Sequence, residues 1–468
     1  MSPLFSYSWT MGVVVRNGLV VTAQGRSHLD VRCRDGRIVE VGKDLESLSM
    51  EEEVDATGQF VFPGGVDPHV HMELPVAGTV SSDDFETGTT AAIAGGTTTV
   101  IDFVHPERGQ GFLEAFEERR LEAAKSVTDY GLHMAVTWWG DGTGDAMALA
   151  VREGMPSFKV YLAYKATVGL DDADVIRVLA TARELGALVI VHAEHGEMIE
   201  HLRERLASEG RTAPIEHALS RPPELEGEAT HRVATLAGTA GASLYVVHVT
   251  CRQSVEAILA AQRAGWDVHG ETCPQYLLLD QTVYEADGFE GAAYVIAPPI
   301  RPSEHQEVLW QAITDGTLEL VATDHCPFNM SQKALGIDDF RLIPGGAAGV
   351  EHRLSLLYTH GVAAGRFELE RFVDLVSTQP AKRFGLYPRK GSVTVGADAD
   401  LVVWDGEASA TISAATDHHR CDRSIFEGFR VSGRPSVVVA AGQVRLRDGE
   451  LRVERGSGRY LPRAVGAV

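Results

Sequence analysis

The sequence lacks any apolar run approaching the ~20 residues needed to cross a bilayer, which excludes a membrane-spanning chain. Positive charge is in deficit: 42 Lys and Arg stand against 65 Asp and Glu, a formal charge of −23. Phosphate binding needs basic clusters, so a nucleic-acid partner is excluded. The five cysteines (Cys33, Cys251, Cys273, Cys326, Cys421) are scattered and form no C-x-x-C pair. They offer neither a disulfide framework nor a thiolate zinc site, and suit a reducing cytoplasm. The opening MSPLFSYSWT has no basic leader or small-residue cleavage site, so no secretory signal is expected. Residues 1–10 read as a disordered extension or an alternative start. No G-x-G-x-x-G loop follows the first strand of the central region, which counts against an open doubly wound sheet.

What is present is ordinary for a folded globular chain, with 44% hydrophobic and 23% charged residues. A length of 468 residues suggests about three domains, softened because one barrel takes about 250 residues. Residues 11–63 read as short strands with tight turns. Asn17-Gly18 and Asp35-Gly36 each sit between β-rich runs and predict hairpins. From residue 64 to about 390, apolar strands alternate with helical segments (TTTVIDF then FLEAFEERRLEAAK, SFKVYLA then DADVIRVLATARELG). Eight such units predict an α/β chain, a TIM-like (β/α)8 barrel with catalytic residues at the C-terminal strand ends. β character returns over 391–445, so the two chain ends are expected to pair into a small β-sandwich. Residues 446–468 read as a loose tail or an arm docked on a neighbouring subunit.

The chemistry gathers at strand ends. His69 and His71 close FPGGVDPHVH, and residues two apart on an extended segment face one way, so both imidazoles are half of a divalent-metal site. His192 ends ALVIVH and His248 ends SLYVVH. Taken singly, each is a satisfied core histidine. Asp324 ends LELVATD, where a buried carboxylate needs a cation or several donors. Four histidines and an aspartate at the exits of four strands argue for metal binding. Lys159 ends SFK inside an apolar stretch, where a lysine loses its proton readily. It is then a nucleophile toward carbon dioxide, giving an anionic carbamate able to bridge two metals; the bland alternative is a lysine snorkelling to solvent. His201, His217, His352, His418 and His419 lie in polar or helical surroundings and read as surface residues.

The motifs H-x-H at 69–71, SFKVYLAYK around Lys159, HAEHG at 192–196, VHVTC at 247–251, GETCPQYLLLD at 270–280 and TDHCPFN at 323–329 resemble the cyclic amidohydrolases. HMELP after the second histidine, QKALGIDDF at 332–340 and KGSVTVGADADLVVWD at 390–405 are similar to the dihydropyrimidinase/hydantoinase branch. The resemblance runs from about Met11 to about residue 445. It implies two divalent metals, usually zinc, bridged by N6-carboxylated Lys159 and a hydroxide. His69, His71 and Asp324 would hold one metal; His192 and His248 would hold the other. Asp324 would also carry the proton, and Tyr164 would donate to the oxyanion. Hydrolysis of a cyclic ureide to an N-carbamoyl amino acid, and a cytoplasmic homo-oligomer, commonly a tetramer, follow from the same resemblance.

The chain departs from the family pattern at Ala297, where serine is common, at Gly345, where asparagine is common, and at His195, where asparagine is usual. The first two positions hold the substrate's ring amide, largely through main-chain groups. Glu73 falls where dihydroorotase-like sequences carry a carboxylate-binding arginine, and is expected to repel an anionic substrate. Leu74 and Tyr161 are expected to wall a substituent on a neutral ring. The alternatives are an allantoinase, a dihydroorotase-type enzyme and a non-catalytic relative.

Overall fold

The structure, a computed structural model, describes residues 12–465; the reading made for residues 1–10 lies outside them. Eight parallel strands form the central sheet, running from Gly65–Asp67 through Thr97–Val104, Asp129–Ala135, Ser157–Tyr161, Leu188–His192, Leu244–Val246 and Val268–Thr272 to Leu320–Val321. They are numbered here as the first to eighth barrel strands. Each of the first seven pairs with the next in chain order, the pattern that right-handed βα crossovers impose.

The seam between the eighth and first strands is closed differently. Val70 and His325 form an isolated parallel bridge, and the His71 N–H donates to His325 O at 2.8 Å. Below it, the Thr323 hydroxyl donates to Asp67 Oδ2 at 2.6 Å. Fully buried Arg353 donates from one Nη1 to Val66 O at 2.8 Å and Val321 O at 3.1 Å, one carbonyl from each seam strand. A guanidinium with five donors supplies there what a ladder supplies elsewhere.

The two chain ends pair as expected. Phe60–Pro63 lies antiparallel to Leu401–Thr411, with Leu401 opposite Pro63 and Trp404 opposite Phe60, inside a seven-stranded sheet. A four-stranded sheet of Arg37–Gly42, Asp30–Arg34, Gly12–Arg16 and Glu51–Asp55 packs on it. Val13, Val15, Val31, Ile38, Val403 and Val439 are buried between them.

Two expectations need correction. Asp35-Gly36 does turn a hairpin, joining Asp30–Arg34 to Arg37–Gly42. Asn17-Gly18 does not. Gly12–Arg16 pairs with Asp30–Arg34 and Glu51–Asp55, whereas Leu19–Thr22 pairs with Gly25–His28 and Phe60–Pro63, so the dipeptide carries the chain from one sheet to the other. A Cβ on Gly18 would lie 2.5 Å from Val61 Cγ2, so glycine serves close packing there. The tail is not loose. Strand pairing continues past 445 to Leu451, and Tyr130 N–H donates to Arg459 O while Leu461 N–H donates to Tyr130 O at 2.7 Å. Leu461 is fully buried and Arg463 Nη2 donates to Ser157 Oγ at 2.8 Å, so this segment is spent on its own barrel.

Candidate active site

The register of the parallel strands brings the predicted residues to one rim. Lys159 lies opposite Ile190, and Tyr161 opposite His192, on the fourth and fifth strands. Alternation then places Ser157, Lys159 and Tyr161 on one face of the fourth strand.

His69 and His71 converge on Asp324. The two Nε2 atoms lie 3.2 Å apart, and Asp324 Oδ1 stands 3.2 Å from the first and 3.1 Å from the second. Ligands at the ~2.0–2.1 Å bond lengths of tetrahedral zinc sit about 3.3–3.4 Å apart, so these edges are close to those of a coordination polyhedron. His192 Nδ1 lies 3.0 Å from His248 Nε2, forming a second imidazole pair. The two groups are neighbours, with the His69 and His248 ring centroids 5.5 Å apart.

Outer carboxylates orient both groups. Glu271 Oε1 is 2.6 Å from His69 Nδ1 and Glu271 Oε2 accepts from the Tyr245 hydroxyl at 2.8 Å. Glu194 Oε2 is 2.7 Å from His192 Nε2 and 2.6 Å from Arg221 Nη1. Such carboxylate–histidine pairs fix which ring nitrogen faces a metal. Neither glutamate was singled out from the sequence, although a lone carboxylate in an apolar strand (Glu271 in VHGET) is a visible signal.

Burial sets the electrostatics. It drives the imidazoles of His69 and His248 well below their ordinary range, into the neutral form that ligates metals. It brings the Lys159 ammonium down to about 8, against the pull of Asp324 and Glu271. Lys159 makes no salt bridge among the described residues; Nζ lies 5.1 Å from the Phe103 ring centre and 5.4 Å from that of Tyr161. Burial pushes the Glu271 carboxyl up to about 8. At Asp324 burial acts upward, but the adjoining His69 and His71 outweigh it and hold the carboxyl at about 2. At Glu194 burial is likewise overcome, chiefly by Arg221.

Three of the predicted residues sit on strained backbone: Tyr164, His248 and Asp324 have φ of 59°, 40° and 54°. Left-handed conformations at non-glycine residues concentrate at functional sites. Tyr164 O accepts from the amides of Thr167, Val168 and Gly169, which explains its turn. A Cβ on Gly169 would sit 2.1 Å from Ala163 O, so the turn requires glycine. The Tyr164 ring lies 5.3 Å from that of His192 and 5.5 Å from Arg221 Cζ. Its hydroxyl has no hydrogen-bond partner among the described residues, and burial pushes the phenol up, so it stays a donor.

The remaining positions fall less evenly. Ala297 and Gly345 are adjacent: a Cβ on Gly345 would meet only Ala297 N, at 4.0 Å. Their segments are tied by buried Lys333, whose Nζ donates to Val295 O at 2.8 Å, Pro344 O at 2.7 Å and Gly346 O at 2.8 Å. The Tyr161 hydroxyl is 2.7 Å from His105 Nε2. Leu74 is half-buried in the loop after His71, its N–H donating to Ser81 Oγ. Glu73 is paired within the protein: both its carboxylate oxygens lie 2.7 Å from Lys125 Nζ. His195 caps the helix Gly196–Ser208, its Nδ1 accepting from Met198 N, which is the task asparagine performs at such a position. Among the histidines read as surface residues, His201 and His418 are exposed. His217 is buried, its Nε2 2.8 Å from Ile296 O, and His419 is buried beside partly buried His352. Their polar sequence neighbours concealed a tertiary burial.

The amidohydrolase family model matches residues 60–445. The chain is 47% identical over 457 residues to a D-hydantoinase of Geobacillus stearothermophilus, covering 97% of both chains. It is 42% identical over 455 residues to a D-hydantoinase of Ralstonia pickettii, covering 97% of this chain and 99% of that one. The crystal structure of a dihydropyrimidinase from Brevibacillus agri matches with a TM-score of 0.96 at 44% identity, over 97% of this chain and 99% of that one. The chain therefore belongs to the amidohydrolase family, in the branch that holds the D-hydantoinases and dihydropyrimidinases.

Proposed function

We propose that this protein hydrolyses the cyclic amide of 5-substituted hydantoins and dihydropyrimidines to N-carbamoyl amino acids. The observation that carries the proposal is the convergence of His69, His71 and Asp324 beside the His192–His248 pair, around a buried Lys159 with no carboxylate partner. Two imidazoles with a carboxylate are borderline donors suited to zinc, and the edge lengths fit. His69, His71 and Asp324 would hold one divalent cation and His192 with His248 the other. Lys159 would join both after its neutral amine attacks carbon dioxide and loses a proton, leaving an anionic carbamate. Bound there, the cations supply an acidified water and polarise the substrate carbonyl.

The chain's own groups do the rest. Tyr164 donates its free hydroxyl to the carbonyl oxygen as negative charge develops. Asp324 accepts the proton released by the attacking water and returns it to the ring nitrogen as the C–N bond breaks, so the proton count closes. Glu271 and Glu194 hold His69 and His192 in orientation. Main-chain groups at Ala297 and Gly345 bind the ring amide, and Tyr161 with Leu74 borders the 5-substituent.

Preference for a neutral ring rests on Arg221, not on Glu73. The guanidinium near Tyr164 is already paired with Glu194, so it is not offered to a substrate carboxylate. The names of both curated relatives support the D-configured series. A cytoplasmic location stays part of the proposal, supported by five free, buried cysteines, and so does a homo-oligomeric state, which rests on the family resemblance alone. No helix among the described residues is long and apolar enough to cross a membrane. The test is kcat/KM for a D-5-substituted hydantoin, dihydrouracil, allantoin and dihydroorotate under one metal condition. Hydantoin or dihydrouracil should lead; fastest turnover of dihydroorotate or allantoin refutes the assignment.

A further inference from the structure

A second cluster of ligand-type side chains lies away from the active site. His352 caps the short helix Arg353–Leu357 that follows the barrel's last strand, while Asp417 and His419 lie in the segment joining Leu401–Thr411 to Arg430–Ala440. Asp417 Oδ2 is 3.0 Å from His352 Nε2 and 3.0 Å from His419 Nε2. The three side chains are 12%, 4% and 1% exposed for His352, Asp417 and His419.

Neither contact has hydrogen-bond geometry. His352 Nε2, Asp417 Oδ2 and both ring nitrogens of His419 are buried with no hydrogen-bond partner among the described residues. Leaving buried polar atoms unsatisfied is costly, and a cluster of them calls for a specific cause. An ion triad of two imidazolium rings sharing Asp417 would aim ring N–H bonds at the carboxylate. Here that alignment is missing, while one ligand atom from each of the three residues lies within 4.8 Å of the other two. His69, His71 and Asp324 are comparably close, with edges of 3.1–3.2 Å and contacts to Asp324 Oδ1 that lack hydrogen-bond alignment.

We propose that His352, Asp417 and His419 bind a divalent cation of the zinc type, separate from the active-site centre. Two imidazoles and one carboxylate favour zinc or a similar first-row ion over calcium or magnesium, which prefer all-oxygen sets. A fourth position would be left to water. The site is a clip. It joins the barrel at residue 352 to a segment 65 residues further on in sequence. That segment leans on the loop carrying Asp324: Arg420 N–H donates to Asp83 Oδ1 at 2.7 Å, and Asp83 Oδ2 is 2.9 Å from His325 Nε2, next to Asp324. Asp422 N–H also donates to Asn329 Oδ1 at 2.8 Å. The cation would hold the segment against the active-site loop without touching substrate.

The test uses the full chain saturated with zinc and freed of excess ion. Elemental analysis should give one more zinc per chain in the wild type than in His352→Gln or His419→Gln, with both variants melting at lower temperature. Trypsin should cut after exposed Arg420 faster in the variants. Equal zinc content in wild type and folded variants overturns the proposal, and the pair reverts to an ion triad. Should the variants not fold, zinc-edge anomalous scattering from wild-type crystals decides. A peak among the three side chains supports the site; its absence while the centre at His69 and His192 is occupied refutes it.

Discussion

Replacing Tyr164 with phenylalanine isolates one hydroxyl. That hydroxyl has no partner among the described residues, so its removal leaves no donor or acceptor orphaned there. The ring keeps its contacts, 5.3 Å from His192 and 6.3 Å from Tyr161, because they involve the aromatic face and edge alone. The turn that places the residue is built from Tyr164 O and three amides, all main chain. Stability and metal content should therefore stay at wild-type values. What is lost is the donor proposed to meet the developing oxyanion. Losing one such donor costs about 10²–10³ in kcat, or about 2.7–4 kcal/mol of transition-state stabilisation. A ground-state carbonyl gains much less from the same hydrogen bond, so KM should move little. The assay is steady-state kinetics on one 5-substituted hydantoin, with elemental analysis and melting of the same preparations. A fall in kcat below tenfold, or an effect confined to KM, refutes the oxyanion role. A loss of bound metal would instead make Tyr164 a positioning residue for His192.

Lys159→Ala should lose bound metal and activity together, with partial recovery of both on adding short carboxylic acids, and native crystals of the wild type should show the carbamate at Nζ. Asp324→Asn keeps the shape of the side chain and the fold but removes the proton carrier, so turnover should drop at least ~10²-fold; near-normal turnover removes Asp324 from the chemistry. Glu271→Gln keeps one acceptor oxygen but can no longer accept at both His69 and Tyr245, and metal affinity or activity should fall about 10–100-fold. Unchanged metal affinity and turnover would show that the 2.6 Å contact to His69 is only packing.

Much of this architecture was legible in the chain because strand-end positions combine two periodic signals. A short, largely apolar run ending in His192, His248 or Asp324 announces a buried parallel strand and a polar rim at once. Lys159 was legible for the same reason: a charged group amid SFKVYLA has no solvent to reach. Glu271 and Glu194 escaped because their role depends on which imidazole nitrogen they meet across the sheet, a relation between strands. Asn17-Gly18 misled because local turn propensity was overridden by the demand of two sheets, each taking one flanking strand. His217 and His419 were hidden by polar neighbours in sequence, since their burial is produced by segments distant along the chain. The tail from Arg459 to Arg463 carries little strand pattern; its order comes from Tyr130 and Ser157, which lie hundreds of residues earlier.

The departures at Ala297 and Gly345 acquire a physical reading from Lys333. Serine and asparagine side chains at such positions could brace the two segments that meet there. In this chain the bracing comes from one buried ammonium, which donates to carbonyls on both segments and uses all three of its protons. The Gly346 N–H adds a main-chain bond to Val295 O at 3.0 Å. Main-chain groups beside Ala297 and Gly345 are thus positioned without any side chain at either residue. Space is also left open: a Cβ at Gly345 would meet nothing nearer than 4.0 Å. If these segments bind the ring amide as proposed, less side-chain bulk on a wall whose backbone stays fixed leaves more room beside the ring. On the proposed assignment the chemistry is retained with broader tolerance beside Ala297 and Gly345, and discrimination among neutral cyclic ureides is expected instead from Tyr161, held by His105, and half-buried Leu74.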